Sequence, residues 1–267
     1  MNNKTVIITG ASSGIGKSLA FKFAEKGATL VLAARNYQKL EEIKNLLDQS
    51  TKVLIVKTDV SNDADCQALI RKTIEKYETI DILINNAGIS MRALIEDVEL
   101  SVIKNLMDIN FWGTVYCTKY ALPYILKSKG SVVGVSSIAG YKGLPGRAGY
   151  SSSKFAMHGF LEVLRIENMK KGMHVLIACP GFTSTNIRKT SLVADGSQQG
   201  ESPRDEGKMM SADEVAEQII YAIEKRKDRL TLTFQGKITV LLNKFFPKFM
   251  DKMVYNHMAK EPDSPFK

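Results

Sequence analysis

Cysteine and histidine are scarce, with three of each in the chain. Cys66, Cys117 and Cys179 lie far apart and are odd in number, which excludes a disulfide framework and a zinc pattern and fits a reducing cytoplasm. Buried, inert thiols are their expected role. His158, His174 and His257 form no cluster with acidic residues or cysteines at metal-ligand spacing, so no metal is expected. Structural or surface roles are expected for all three. No uninterrupted apolar run reaches the length of a membrane span. The opening Met1-Asn-Asn-Lys4 runs straight into Val6-Ile7-Ile8, which leaves no room for a signal peptide. Neither an internal repeat nor an inter-domain linker is visible.

What is present describes a soluble α/β protein. Hydrophobic residues make up 44% and charged residues 24% of 267 positions, enough chain for one large domain with a substantial core. Residues 194–208 and the chain ends are the candidates for disorder. Lys and Arg number 37 against 28 Asp and Glu, a net charge of +9 that favours anionic ligands or surfaces. No dense basic run or recognition motif supports nucleic acid as a partner, and a phosphorylated cofactor accounts for part of the excess.

Apolar runs alternate with amphipathic segments. Val6–Thr9, Thr29–Ala33, Val53–Lys57, Ile82–Asn85, Ser131–Ser136 and His174–Ala178 read as buried strands. Helical periodicity occupies 15–26, 37–48, 62–76, 99–127 and 149–171. Such alternation predicts a single, doubly wound Rossmann-type domain: a mainly parallel seven-stranded sheet with helices on both faces. Ser211-Ala-Asp-Glu214 resembles a capping box that opens a further helix to about Lys225, and Arg229–Phe234 reads as an edge strand. The catalytic domain is expected over 1–235, including a polar, aperiodic 182–210 segment that reads as a functional lid or mobile loop. Residues 236–267 form an amphipathic C-terminal extension.

The first strand ends in Thr9-Gly10-Ala11-Ser12-Ser13-Gly14-Ile15-Gly16, and a helix follows at once. Glycines let the backbone turn sharply against a pyrophosphate, and the helix N-terminus offers free N–H groups and a favourable dipole. A plain strand–helix turn is the alternative, less favoured directly after the first strand. At the end of the second strand Arg35 stands where an acidic residue would bind the ribose hydroxyls of NAD, and no Asp or Glu appears before Glu41. A guanidinium suits a phosphate dianion, so NADP(H) is the expected cofactor. Ser12 assists; Lys17 does so or is a solvated surface charge. Asp59-Val60 after the third strand is placed to meet adenine, or Asp59 competes with Ser61 to cap the next helix. Asn86-Ala87-Gly88 after the fourth strand allows close approach of a ribose.

Tyr150 and Lys154, four residues apart, stack on one face of the helix predicted over 149–171. A free phenol has a pKa of about 10, and a nearby cation moves it toward the working range of an acid–base catalyst. Taken alone, Tyr-x-x-x-Lys is an ordinary helix pair. The other motifs reverse that weighting.

In order, Thr9-Gly-x-x-x-Gly-Ile-Gly16, Asp59-Val60, Asn86-Ala-Gly88, Asn110, Ser136-Ser137, Tyr150-x-x-x-Lys154 and Pro180-Gly181 resemble the short-chain dehydrogenase/reductase superfamily. The resemblance implies that Tyr150 is the catalytic acid/base and that Ser137, thirteen positions before it, hydrogen-bonds the substrate carbonyl. It implies that Lys154 binds the nicotinamide ribose and lowers the Tyr150 pKa, and that Asn110 holds a water linking Lys154 to solvent. Pro180, Gly181, Thr183 and Thr185 would meet the nicotinamide amide or the pyrophosphate. The implied reaction is reversible hydride transfer between NADP(H) and a carbonyl or secondary alcohol.

Ile89, Met91, Ile138, Tyr141, Leu144 and Phe182 suggest an apolar substrate pocket, with Arg92 and Lys142 placed to receive an anionic group. In the tail, apolar residues at 238, 241, 242, 245, 249 and 253 alternate with Lys237, Lys244, Lys248 and Lys252, and Pro247 should divide any helix. Packing on the protein, covering the substrate site, sealing an oligomer interface and peripheral membrane contact through 237–258 are all open to it, packing being favoured. A compact 3-oxoacyl-acyl-carrier-protein reductase would end soon after the last strand; this chain continues, more like membrane-associated lipid, steroid and retinoid reductases. That reductase role and a non-catalytic NADP-binding regulatory role are the alternatives. A homodimer or homotetramer paired through 99–127 and 149–171 is expected by analogy.

Overall fold

Each apolar run becomes a strand because its residues point alternately to two covered faces. The structure, a computed structural model, describes residues 1–266, without the side chain of Lys208. The strands β1 (Thr5–Thr9), β2 (Thr29–Ala34), β3 (Val53–Lys57), β4 (Ile82–Asn85), β5 (Ser131–Val135), β6 (His174–Cys179) and β9 (Arg229–Thr231) form one sheet in the order β3-β2-β1-β4-β5-β6-β9. Every pairing in it is parallel, as the α/β reading expected. The chain order reverses between β1 and β4, and ligands bind outside the carboxyl ends of strands at such a switch point.

Alternation within a strand divides the core. Val6 and Ile8 of β1 join α1 (Gly14–Glu25), α2 (Tyr37–Leu46) and α7 (Ala212–Glu224) on one face. Ile7 joins α3 (Asp63–Tyr77), α5 (Gly113–Ser128) and α6 (Ala148–Glu167) on the other. Leu161 of α6 is fully buried there, and truncating such a leucine to alanine costs about 2–5 kcal/mol. Helix starts follow local chemistry. Asn62 caps α3 by accepting from Asp65 N at 3.2 Å, so neither Asp59 nor Ser61 does. The capping box of Ser211 and Glu214 opens α7.

Three elements depart from expectation, and one expected break occurs. The helix predicted over 99–127 is α4 (Leu100–Leu106), a π-helical stretch Met107–Trp112, and α5. The wider turn carries Asn110 inward, to complete burial. The helix predicted to 171 stops at Glu167, where Asn168 Nδ2 donates to Leu164 O at 2.8 Å. The edge strand stops at Thr231, because Thr233 adopts φ +61 and caps α8 (Phe234–Phe245) by accepting from Gly236 N at 3.1 Å. Pro247 then opens a separate helix, α9 (Pro247–Ala259), so the division expected of this proline occurs.

Residues 182–210 leave and re-enter the domain at one neck, where β7 (Thr183–Ser184) pairs in parallel with β8 (Met210–Ser211). Between them Arg188 Nε donates to Glu206 at 2.7 Å and to Ser202 at 3.3 Å, and its Nη2 to Thr183 O at 2.6 Å. Arg92 N donates to Leu192 O at 2.8 Å and Leu192 N to Ser90 O at 2.9 Å. Within 194–208, the internal candidates for disorder, Ser202 and Glu206 are therefore held by the half-buried Arg188, and Ala194 O accepts from Glu99 N at 2.9 Å. Lys267, the last residue of the expected extension, lies outside the described residues.

Candidate active site

The carboxyl ends of the strands open into a cavity of about 940 Å³, at the upper end of what ligand clefts occupy. Gly10 and Gly14 sit at φ +64 and +50, and a Cβ on Gly16 would lie 2.3 Å from Gly10 O. The turn therefore requires glycine to bring α1 so close to the end of β1. Ser13 provides no side-chain cap to α1, and the first turn holds no acidic residue, so the helix N-terminus is left for an anion. Asn86 braces the turn, its Nδ2 donating to Thr9 O at 2.9 Å and Gly10 O at 3.2 Å. Thr9 Oγ1 accepts from Asn86 N at 3.0 Å and Ala87 N at 3.1 Å.

Arg35 and Lys39 line one end of this cavity, exposed and without hydrogen-bond or ion-pair partners for their side chains among the described residues. Lys39 was not singled out from sequence, although it lies one helical turn after Arg35. Asp59 and Val60 line the same end. Asp59 Oδ1 accepts from Ser61 N at 3.0 Å and Ser61 Oγ at 2.7 Å, which fixes the carboxylate at the cavity wall. Ser12, Ser13, Gly14, Ile15, Ala87, Gly88, Pro180, Gly181, Thr183 and Thr185 also reach it. A Cβ on Gly14 would meet Thr185 at 3.2 Å.

The side chains of Ser137, Tyr150 and Lys154 converge between Gly88 and the 182–210 segment. Ser137 begins a 3-10 turn, Ile138–Gly140, its Oγ accepting from Ala139 N at 3.2 Å. Lys154 Nζ donates to Val135 O at 2.9 Å and lies 5.7 Å from the Tyr150 ring centroid. An ammonium carries three donors, so this buried group retains capacity for a further ligand beside Gly88, whose Cβ would stand 3.5 Å away. Burial lowers Lys154 to about 8. Asn110 is fully buried and bonded to its neighbours: Nδ2 donates to Ile89 O at 3.0 Å and Ser153 Oγ at 2.9 Å, and Oδ1 accepts from Ile89 N at 2.9 Å.

Burial raises the Tyr150 pKa; contact with Ser137 and the charges of Arg147 and Arg188 oppose the rise. Those two arginines were not singled out from sequence. Arg147 had a legible signal, since it lies three positions before Tyr150 at the start of the same helix. Arg188 had none, because only the folding of 182–210 brings it to the site. The cavity, the helix N-terminus uncapped by any side chain, the exposed Arg35 and Lys39, and the remaining donors of Lys154 together fit a phosphorylated dinucleotide.

The expected apolar pocket is formed by Ile89, Ile138, Leu144 and Phe182, joined by Ile238, Leu242 and Met253 of the tail. Met91 is instead fully buried in a separate core cluster, and Tyr141 packs edge-on against His158, ring centroids 4.6 Å apart. Lys142 is held by Asp251 and Arg92 by Glu261 and Pro262, so neither is the free cation expected from sequence. Docking of the tail decides this, and no local pattern announces it. His158 and His174 are buried and hydrogen-bonded, and His257 lies beside Arg204 at 3.2 Å. No group of three metal-ligating side chains occurs among the described residues.

The model of the short chain dehydrogenase family matches residues 4–195. Dehydrogenase/reductase SDR family member 7B of Mus musculus is 34% identical, over 99% of this chain and 84% of its own length. The 11-beta-hydroxysteroid dehydrogenase-like 2 protein of Arabidopsis thaliana is 42% identical over 70% of this chain and 61% of its own. Among solved structures, a short chain dehydrogenase/reductase from Burkholderia phymatum in complex with NAD superposes with a TM-score of 0.83 at 24% identity, over 93% of this chain and 95% of that one. An alcohol dehydrogenase from Thermococcus sibiricus, complexed with 5-hydroxy-NADP, gives 0.74 at 24% identity, over 86% and 94%. Glycine turn, sheet order and the Ser137, Tyr150 and Lys154 convergence thus coincide with a family match over most of the chain, which belongs to the short-chain dehydrogenases/reductases.

Proposed function

We propose that this oxidoreductase uses NADP(H) to interconvert a carbonyl and a secondary alcohol on an apolar substrate, with Tyr150 as acid/base. The convergence of Ser137, Tyr150 and Lys154 beside the glycine turn carries the reading. Gly10 to Gly16 and the α1 N-terminus hold the pyrophosphate, and Arg35 with Lys39 holds a 2′-phosphate. Asp59 and Val60 meet adenine, and Asn86, Ala87 and Gly88 a ribose. Lys154 binds the nicotinamide ribose, while Pro180, Gly181, Thr183 and Thr185 fix the nicotinamide end. The chemistry supplied by this cofactor, when bound, is hydride exchange at the substrate carbon.

Ser137 Oγ donates to the substrate oxygen and orients it. Tyr150 Oη gives that oxygen a proton in reduction and takes it back in oxidation. Lys154, Arg147 and Arg188 favour the phenolate that remains. Asn110 anchors Ile89 and Ser153 next to Lys154, and a water beside it relays protons between Lys154 and solvent. Residues 1–235 form the catalytic domain, 182–210 its lid. The extension, 236–267, covers the substrate, excluding water from the reacting atoms. The apolar lining supports a hydrophobic substrate, as do relatives named for 11-beta-hydroxysteroid dehydrogenation.

The outer side of the extension exposes Leu241, Phe245, Phe246 and Phe249 among Lys237, Lys244, Lys248 and Lys252, a composition suited to an anionic membrane surface. No helix among the described residues is long and apolar enough to cross a membrane. Exposed Trp112, Phe155, Val163 and Ile166 on the π stretch and α6 support pairing into a homodimer or homotetramer. Three unbridged thiols support a cytoplasmic setting.

Tyr150→Phe is the decisive variant. NADPH oxidation over a panel of ketones should fall by about 10²–10⁴-fold, while NADPH binding, read by fluorescence titration, stays within twofold. Equal turnover by variant and parent removes Tyr150 from the role.

A further inference from the structure

Glu261, just beyond α9, faces three arginines from different parts of the chain. Arg204 takes it directly, Nε at 2.7 Å and Nη2 at 2.5 Å from Oε1. Arg92 Nη2 and Arg147 Nη2 stand 3.7 and 3.8 Å from Oε2, beyond hydrogen-bond reach. Among the described residues, each of these two guanidiniums otherwise donates to a single backbone carbonyl, Pro262 O at 2.5 Å and Gly146 O at 3.1 Å. Arg92 Nε is buried with no partner among the described residues. The side chains of Arg92, Arg147 and Arg204 are 9%, 12% and 17% exposed, and that of Glu261 is 6% exposed.

Three nearly buried cations thus share one carboxylate. Burying a guanidinium without an anion is costly, and its five N–H donors call for a forked oxyanion. Arg147 and Arg204 both line the catalytic cavity, as does Glu261. The Arg204 guanidinium carbon sits over the Phe182 ring, 3.8 Å from its centroid, a cation–π contact that holds it at the cavity wall. Arg147 opens the helix that carries Tyr150 and acts electrostatically on its phenol.

We propose that the substrate carries an oxyanion, a carboxylate or a phosphate, which Arg147 and Arg204 bind beside Tyr150, with Glu261 serving as the internal counter-anion until it arrives. The substrate class is then an apolar-chain ketone or alcohol with an acidic group near the reacting carbon. This rests on the reductase reading above and names the substrate of the same cavity. The hydrophobic chain lies against Ile238, Leu242 and Met253, and the acidic end sits at the arginines.

The test uses the full-length protein with NADPH present and begins with binding alone, by titration calorimetry with octanoate, octyl phosphate and octanol. The favoured anion should bind about 30-fold more tightly than octanol, as one charge-assisted hydrogen-bonded pair provides. Arg147→Gln should erase that preference without weakening octanol more than twofold, and Arg147→Lys should recover part of it. Whichever of octanoate and octyl phosphate gains more identifies the oxyanion. Turnover is then compared between a keto acid and its methyl ester; kcat/KM should favour the acid in the parent only. Octanol binding as tightly as both anions, or an anion preference untouched by Arg147→Gln, overturns the inference. Should Arg147→Gln fail to fold, Arg204→Lys, which keeps charge but loses the fork, carries the same comparison. An Arg147-dependent anion preference with no NADPH oxidation on any ketone sinks the reductase reading and leaves the anion site standing; NADPH oxidation without that preference does the reverse.

Discussion

The imidazole Nε2 of His158 and the hydroxyl of Ser136 lie 2.7 Å apart, fastening the end of β5 to α6 where Ser137 leaves the sheet. Burial, then the charges of Arg229 and Lys154, lower the His158 pKa from about 6.5 to about 4. The folded protein therefore takes up this proton less readily than the unfolded chain. Stability from this group is complete above pH 6.5 and declines as pH falls from 6.5 toward 4. Scanning calorimetry from pH 7 to 5 should show a steeper loss of Tm for the parent than for His158→Gln, which cannot titrate. Parallel losses would assign the acid sensitivity elsewhere.

Lys154 offers a second pH signature. Its pKa of about 8 makes the ammonium charged below that pH and neutral above it. With Lys154 binding ribose as a cation, kcat/KM should fall above pH 8 by about tenfold per unit. The stability contribution runs the other way: the folded pKa lies below the unfolded value of about 10.5, so stability rises between pH 8 and 10.5. Opposite slopes of activity and Tm over this window separate loss of charge from unfolding. An alkaline fall that persists unchanged in Lys154→Met would refute the assignment.

Cofactor choice is open to one substitution. Arg35→Asp places a carboxylate where a 2′-phosphate would lie, and removes a charge-assisted pair that contributes about 1.5–3 kcal/mol. The ratio of kcat/KM for NADPH over NADH should drop at least tenfold, through both a weaker NADPH reaction and a stronger NADH one. If the ratio does not move, Arg35 is not the reader, and Lys39→Asp is the next variant to measure.

Phe246→Glu with Phe249→Glu tests the outer side of the extension. Parent protein should co-sediment with vesicles containing anionic lipid, less so as salt rises. The double variant should remain in the supernatant while turning over a soluble ketone at the parent rate. Equal sedimentation of both proteins would remove these phenylalanines from any membrane contact.

Short-range physics made much of this molecule legible. Strand positions were readable because residues buried on both faces of a parallel sheet form continuous apolar runs, as at Val6–Thr9 and Ser131–Val135. The capping box at Ser211 and the break at Pro247 were readable for the same reason, each being settled within a few residues. The π-helical stretch around Asn110 was not legible. Its amphipathic period hardly differs from that of an α-helix, and what selects it is the bonding of Asn110 to Ile89 and Ser153 once α6 has docked.

Alternation of apolar and amphipathic runs determined the parallel α/β architecture, the glycine spacing determined the turn with no side chain between α1 and β1, and the family resemblance singled out the Ser137, Tyr150 and Lys154 set. Those features depend on backbone sterics and local periodicity, which neighbouring residues impose on one another. The pairing of charges was decided only in three dimensions. Arg92 and Lys142 look free in the linear chain, yet Glu261 and Asp251 reach them from a tail more than a hundred residues away. Arg147, whose place three residues before Tyr150 was the one hint in the chain, ends beside that phenol facing Glu261 from the tail. A charge carries no period or direction along the chain, so its partner is chosen by whichever distant surface folding brings against it.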